Sequence, residues 1–192
     1  MNPPQSIALF GGTFDPIHNG HLLIANEAVN ALNLDQVRFL PCRLSPHKTH
    51  LPPTSPEHRL AMIQLAIRDL PWAVIDDFDL KAPEPSYSYL TVAATRRQFP
   101  QARIFWLMGC DQWEALPRWR RPDALAAGVE FIVFTRGSEP QAREGWRLHP
   151  LQAEHPASSS KIRESIHSDR PPSDWLPPSV YSYIIEHRLY TA

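Results

Sequence analysis

Short apolar runs alternate with stretches of helical spacing along most of this chain. Ser6 opens a short apolar run, Ile7 to Phe10, that stops at Gly11-Gly12, which predicts a buried strand over 6–10 ending in a turn. From His21 onward Leu22, Ala25, Val29 and Leu32 recur on one helix face, and Asn33 supplies a stop. Residues 37–40 then read as a second strand, so strand, glycine turn, helix and strand follow one another within about the 30 residues of a βαβ unit. Leu60, Ile63, Ile67 and Leu70 mark the next helix, with Ser55-Pro56-Glu57 as an N-cap followed by proline in the first turn. The pattern goes on with strands at 72–75, 104–108 and 129–134 and helices at 87–99, 122–127, 159–168 and 178–190. Residues 45–56 and 137–156 are predicted as loops, the second with a short strand near Leu148, and no internal repeat is present. Such alternation predicts a single α/β domain over 1–192. Its mostly parallel sheet has five or six strands, with helices on both faces and the ligand site at the carboxyl ends of the strands.

Composition narrows the function. At 192 residues, 43% hydrophobic and 20% charged, the chain can bury a core without disulfide or metal staples. A net charge of −1 gives no global pull toward nucleic acid or an anionic membrane, so an anion site must be local. Cys42 and Cys110 are too few for a disulfide framework or a cysteine-rich zinc site and are expected as free thiols. No Lys or Arg precedes Arg38, and the first apolar run is too short for a signal-peptide core or a membrane span. The expected compartment is the cytoplasm. The 21 prolines belong in loops and at element ends, which stiffens the connections.

The densest chemistry lies at the end of the first strand, in Gly11-Gly12-Thr13-Phe14-Asp15-Pro16-Ile17-His18-Asn19-Gly20-His21. Successive glycines let backbone amides approach a phosphate, and the open N–H groups of the following helix add an anion site. His18 and His21, three apart, project to the same side. Without clustered further ligands they make a poor zinc pair, and the chain carries neither a Walker A motif nor G-x-G-x-x-G. Three later segments add polar groups: Ser45-Pro46-His47-Lys48, Met108-Gly109-Cys110-Asp111 with Leu116-Pro117-Arg118-Trp119, and Ser158-Ser159-Ser160-Lys161-Ile162-Arg163. Read singly these are a solvated loop lysine, a core tryptophan and an ordinary serine N-cap. Arg118, Arg120 and Arg121 around Trp119 could serve single-stranded nucleic acid, but no wider basic surface accompanies them.

Taken in order, the four segments resemble the motifs of the nicotinate-nucleotide adenylyltransferase family, within the nucleotidyltransferases that share an H-x-G-H core. The resemblance runs from Ile7 to about Tyr190, leaving only 137–156 without a recognisable motif. It implies the Rossmann-like nucleotidyltransferase fold and transfer of the adenylyl group of ATP to nicotinate mononucleotide. By that resemblance, His18, His21, Lys48 and Arg163 are catalytic. Gly11, Gly12, Thr13, Phe14, Ser159, Ser160 and Arg163 bind ATP, and Tyr87, Ser88, Gly109, Asp111, Trp119 and Arg136 bind the mononucleotide. Mg²⁺ is expected with ATP, held by phosphates and water, with no protein metal site. The chain departs from the family at Ser45, Cys110, Ala157 and Ser160, which stand for proline, alanine, isoleucine and threonine. It departs again in Pro85-Ser86-Tyr87-Ser88, where the family commonly has S-Y-T near the nicotinate carboxylate. The amide mononucleotide, or both mononucleotides, remain alternative substrates, and a silent nucleotide-binding domain is the rival from another class. The partners implied are small molecules, not nucleic acid or membrane, and the pattern is equally compatible with a monomer and a homo-oligomer.

Overall fold

In the computed structural model, residues 3–42, 53–81, 87–135, 137, 139–168 and 174–191 are described. In chain order the elements are β1 (Ser6–Gly12), α1 (Asn19–Leu32), β2 (Gln36–Pro41), α2 (Pro56–Ile67), β3 (Ala73–Ile75) and α3 (Phe78–Lys81). After these come α4 (Ser88–Gln98), β4 (Arg103–Gly109), α5 (Cys110–Ala115), a 3₁₀ turn (Leu116–Arg118), α6 (Pro122–Ala126) and β5 (Glu130–Thr135). β6 (Leu148–Gln152), α7 (Ser159–His167) and α8 (Pro178–Glu186) complete the series. The strands form one sheet in the order β3-β2-β1-β4-β5-β6, with every pairing parallel. This is the doubly wound order that reverses direction beside the first strand.

Period-two alternation explains how continuous apolar strands serve two cores. Ala8 and Phe10 of β1, Phe105 and Leu107 of β4, and Ile132 and Phe134 of β5 face the layer of α1, α2, α7 and α8. Ile7 and Leu9, Ile104, Trp106 and Met108, and Phe131 and Val133 face α4, α5 and α6. Each of the Val, Leu, Ile, Phe and Met side chains taken fully out of water contributes roughly 1.5–3 kcal/mol, so the central strands are the most firmly specified part of the chain. No helix among the described residues is long and apolar enough to cross a membrane, and both cysteines are free thiols.

Element ends differ from the sequence expectation where backbone capping outweighs periodicity. α1 starts at Asn19 with His18 as its N-cap, a turn before its first apolar contact, while Asn33 closes it in the left-handed conformation as predicted. α8 stops at Glu186, four residues short of the apolar pattern. There the Arg188 and Leu189 amides donate to the Ile185 and Ile184 carbonyls at 3.1 and 3.0 Å, a Schellman closure with Arg188 at φ +51°. Ser55 takes the N-cap position of α2 but makes no side-chain cap bond. Its hydroxyl instead bonds the Glu57 carboxylate and holds that acid below its ordinary range. The buried face of α2 carries Arg59, Met62, Ile63 and Ile67, with Leu60 only half-buried.

A candidate active site at the switch point of the sheet

β1 hydrogen-bonds β2 on one side and β4 on the other, so the loops leaving β1 and β4 diverge and open a crevice at their carboxyl ends. The resulting cleft measures about 1680 Å³. A pocket for one drug-sized ligand is on the order of 300–1,000 Å³, so this one has room for two nucleotides.

The loop after β1 depends on missing side chains. A Cβ on Gly11 would lie 3.2 Å from the Trp106 ring and one on Gly12 3.0 Å from the Phe14 ring. Phe14 turns the chain at φ +50°, a conformation that costs a non-glycine residue about 1–3 kcal/mol. Burial of its ring, 2% exposed against Phe10 and Phe39, offsets that cost. Phe14 therefore forms the floor of the cleft. Thr13 keeps its hydroxyl beside the Cys42 thiol at 3.8 Å, and burial pushes that thiol above its ordinary range.

The two motif histidines open α1 as a reciprocal cap. The His18 amide donates to His21 Nδ1 at 3.2 Å, and the His21 amide donates back to the His18 carbonyl at 2.9 Å. Because Nδ1 of His21 accepts, the ring proton belongs on Nε2, and the ring lines the cleft. The rings stack with centroids 3.7 Å apart. His21 also lies edge-on to Phe14 at 5.1 Å and to Phe10 at 5.9 Å. A Cβ on Gly20 would lie 3.0 Å from His18 Nδ1, so the glycine between the histidines is what lets the His18 ring lie there.

The entrance of α7 docks on the same loop. Ser158 caps the helix by accepting the Lys161 amide at 3.3 Å, and the Ser159 hydroxyl donates to the Pro16 carbonyl at 3.0 Å. Arg163 donates Nη1 to the Asp15 carbonyl at 2.7 Å and Nη2 to the Ser160 hydroxyl at 3.4 Å. Ser159 thus holds the loop, whereas Ser160 and Arg163 line the cleft with donors to offer.

Across the cleft, Gly109 ends β4 with open space where a Cβ would go. Asp111 sits exposed in the first turn of α5, and Trp119 packs edge-on against Trp106 at 6.3 Å. Tyr87 and Ser88 start α4, with Arg120 over the Tyr87 ring at 6.0 Å. All five of these predicted residues line the same cleft as His18, His21 and Arg163. The predicted residues Lys48 and Arg136 lie outside the described residues, as does the Ser45–Lys48 motif.

Two residues of the cleft, Asp79 and His155, and the buried Arg59 that holds its loop went unread in the sequence. Arg59 is fully buried and clasps three chain segments, donating to the carbonyls of Thr54, Thr13 and Cys42 at 2.7–2.8 Å. Its position on an otherwise apolar helix face was the only signal. Burial lowers its guanidinium pKa. Asp79 is buried, lines the cleft and accepts the Thr91 hydroxyl at 2.7 Å, and burial raises its carboxyl pKa. His155 lines the cleft beside Gly20, its Nδ1 accepting the Ala157 amide at 3.1 Å. Among the described residues no group of three His, Cys, Asp or Glu is placed to hold a metal.

A cytidylyltransferase-like family model matches residues 9–165. The probable nicotinate-nucleotide adenylyltransferase of Methylacidiphilum infernorum (isolate V4) is 38% identical over 186 residues, covering 96% of this chain and 91% of its own. The nicotinate-nucleotide adenylyltransferase of Bacillus subtilis (strain 168) is 35% identical, with 97% of this chain and 98% of its own aligned. In fold, the chain resembles the Plasmodium falciparum nicotinic acid mononucleotide adenylyltransferase complexed with NaAD. The TM-score is 0.78 at 21% identity over 97% of both chains. With a match this long to relatives this similar, the chain belongs to the cytidylyltransferase-like family and, within it, to the nicotinate-nucleotide adenylyltransferases.

Proposed function

We propose that this protein transfers the adenylyl group of ATP to the phosphate of nicotinate mononucleotide, releasing pyrophosphate and nicotinate adenine dinucleotide in NAD biosynthesis. The observation that carries this reading is the braced histidine pair at the start of α1, facing a cleft large enough for both substrates. A phosphate oxygen of the mononucleotide attacks the α-phosphorus of ATP as the bond to the β-phosphate oxygen breaks, so no enzyme nucleophile is required. Two anions must meet, and catalysis is mainly positioning and neutralisation by donors fixed beforehand. His21 Nε2–H, His18, Lys48 and Arg163 are those donors, with Gly11, Gly12, Thr13 and Ser160 around the triphosphate and Phe14 and Ser159 holding the loop that carries it. Asp111 accepts ribose hydroxyls, Trp119 stacks on the pyridine ring, and Gly109 leaves room for the ribose. Tyr87 and Ser88 serve the carboxylate end, and Arg136 is a further residue for the mononucleotide. Mg²⁺ enters as part of the ATP substrate, held by phosphate oxygens and water. The two free thiols fit a cytoplasmic setting.

Donors at the pyridine end favour the acid, because a carboxylate gains charge-assisted bonds where the amide would face donor with donor. Each buried mismatch costs roughly 1–3 kcal/mol, so kcat/KM should favour nicotinate over nicotinamide mononucleotide by about ten- to several-thousand-fold. Pyrophosphate release measured with ATP and each mononucleotide tests both points. No release with either would remove the reaction, and equal kcat/KM would replace the nicotinate assignment with dual specificity.

A further inference from the structure

The chain beyond α8 reaches back into the nucleotide loop. The left-handed Arg188 reverses its direction, and Tyr190, itself left-handed at φ +64°, donates its phenol to Asp15 Oδ1 at 2.6 Å. Asp15 is buried and fully engaged. Its Oδ2 accepts the Thr54 amide at 3.2 Å, and its carbonyl is the acceptor on which Arg163 Nη1 rests at 2.7 Å. Burial and the Asp15 charge push the phenol pKa far above its ordinary value, so Tyr190 stays a donor across the working range. The segment ahead of α8 is tied to the start of α1, where that loop ends, since the Asn19 amide and side chain donate to the Trp175 and Asp174 carbonyls at 2.8 and 2.9 Å.

An arginine stem has many rotamers, and a phosphate clamp works best when its direction is set before the ligand arrives. Nη1 gives Arg163 one fixed point, and that point is only as rigid as the Asp15 peptide. We infer that Tyr190 is a positioning residue for ATP: by fixing the Asp15 carboxylate it fixes the Asp15 carbonyl, and through it aims the remaining guanidinium N–H groups at the ATP phosphates. The inference rests on the proposed role of Arg163 as a phosphate ligand.

Tyr190→Phe removes only the hydroxyl and keeps the ring in place. Its KM for ATP, and its Kd for a non-hydrolysable ATP analogue, should rise about 5- to 20-fold, less than the roughly 10- to 150-fold of a directly lost bond to a charged group because Tyr190 acts through Arg163. The KM for the mononucleotide should stay within about twofold, while Tm falls by roughly 2–12 °C because a buried carboxylate oxygen loses its donor. Because Tyr190 acts through Arg163, adding Tyr190→Phe to Arg163→Ala should change the ATP KM by less than about twofold. Full additivity of the two variants, equal rises in both KM values, or an unchanged ATP KM for Tyr190→Phe would each overturn the positioning role. Arg163→Ala alone separates the premise from the inference. If that variant leaves the ATP KM unchanged the phosphate role of Arg163 fails, whereas a large effect beside a silent Tyr190→Phe removes only Tyr190.

Discussion

A hydrogen at the α-carbon of residue 20 is what lets the His18 ring lie against α1, since a methyl group there would fall 3.0 Å from Nδ1 and 3.1 Å from Cε1. Gly20→Ala therefore separates stability from activity. Within a helix, alanine is favoured over glycine by about 0.8–1.0 kcal/mol, so Tm should hold or rise while the displaced ring lowers kcat at least about tenfold. Thermal unfolding and steady-state rates on one preparation decide it, and an unchanged kcat would mean the ring position is unimportant. His21→Ala should lower kcat by about 10²–10³, the cost of one preorganised donor. It should also cost about 1 kcal/mol of stability, because the ring closes the cap of α1 as well as serving the cleft. A variant with near wild-type turnover would defeat the assignment. At this scale the sequence was legible wherever chemistry and spacing coincide, as in the glycine pair and the two histidines. Arg59, Asp79 and His155 were not legible, because a lone charged or imidazole residue in a helix or loop looks solvated until its neighbours are known. Nor could spacing foretell a bond between Asp15 and Tyr190, which are 175 positions apart.

Helix α7 is aimed by its first turn, where Ser158 caps it and Ser159 and Arg163 bind carbonyls of the β1 loop. Arg163→Ala should accordingly raise the KM for ATP well above that for the mononucleotide, and a two-substrate titration with the reverse pattern would move Arg163 to the other half of the site. Helix α2 supplies a different anchor. Arg59→Met keeps the length of the stem but strands three carbonyls, which at about 1–3 kcal/mol for each unsatisfied buried group should cost several kcal/mol. Urea unfolding would measure it, and a loss below about 1 kcal/mol would show that water or backbone movement replaces the guanidinium. The strands and long helices were visible as apolar runs and helical periods, since both faces of the sheet are covered. Their ends were less visible because caps set them: His18 starts α1 early and Arg188 stops α8 early. α3 and α5, at four and six residues, are too short to show a period, whereas β6 was anticipated near Leu148 by its few apolar residues.

At the amino end of the sheet, one strand length from the cleft or roughly 20 Å, Glu130 gathers Arg103, Arg147 and His149 at 3.0, 3.5 and 2.8 Å. Burial alone would raise its carboxyl pKa, but hydrogen bonds from Arg103 and His149 and the charges of Arg103 and Arg147 hold it below the ordinary 4.5. A depressed carboxyl contributes stability that is complete above the unfolded value and is lost as pH falls through the lower folded one. Glu130→Gln should then lower stability by about 1–2 kcal/mol at neutral pH, discounted because both arginines are largely exposed. It should flatten the fall in Tm below about pH 4.5 and leave kcat at neutral pH unchanged. A parallel fall in Tm for both proteins down to pH 3 would contradict this. The strand order has a consequence for synthesis as well. β1 lies at the middle of the sheet, yet its β4 partner is paired from Ser6 to Arg103, and at roughly 5–20 residues per second on the ribosome that partner follows some 5–20 s later. Through that interval the nascent chain carries an apolar strand with one bare edge, so in the cell the yield of this enzyme depends on whatever shields β1 until the second half of the chain emerges.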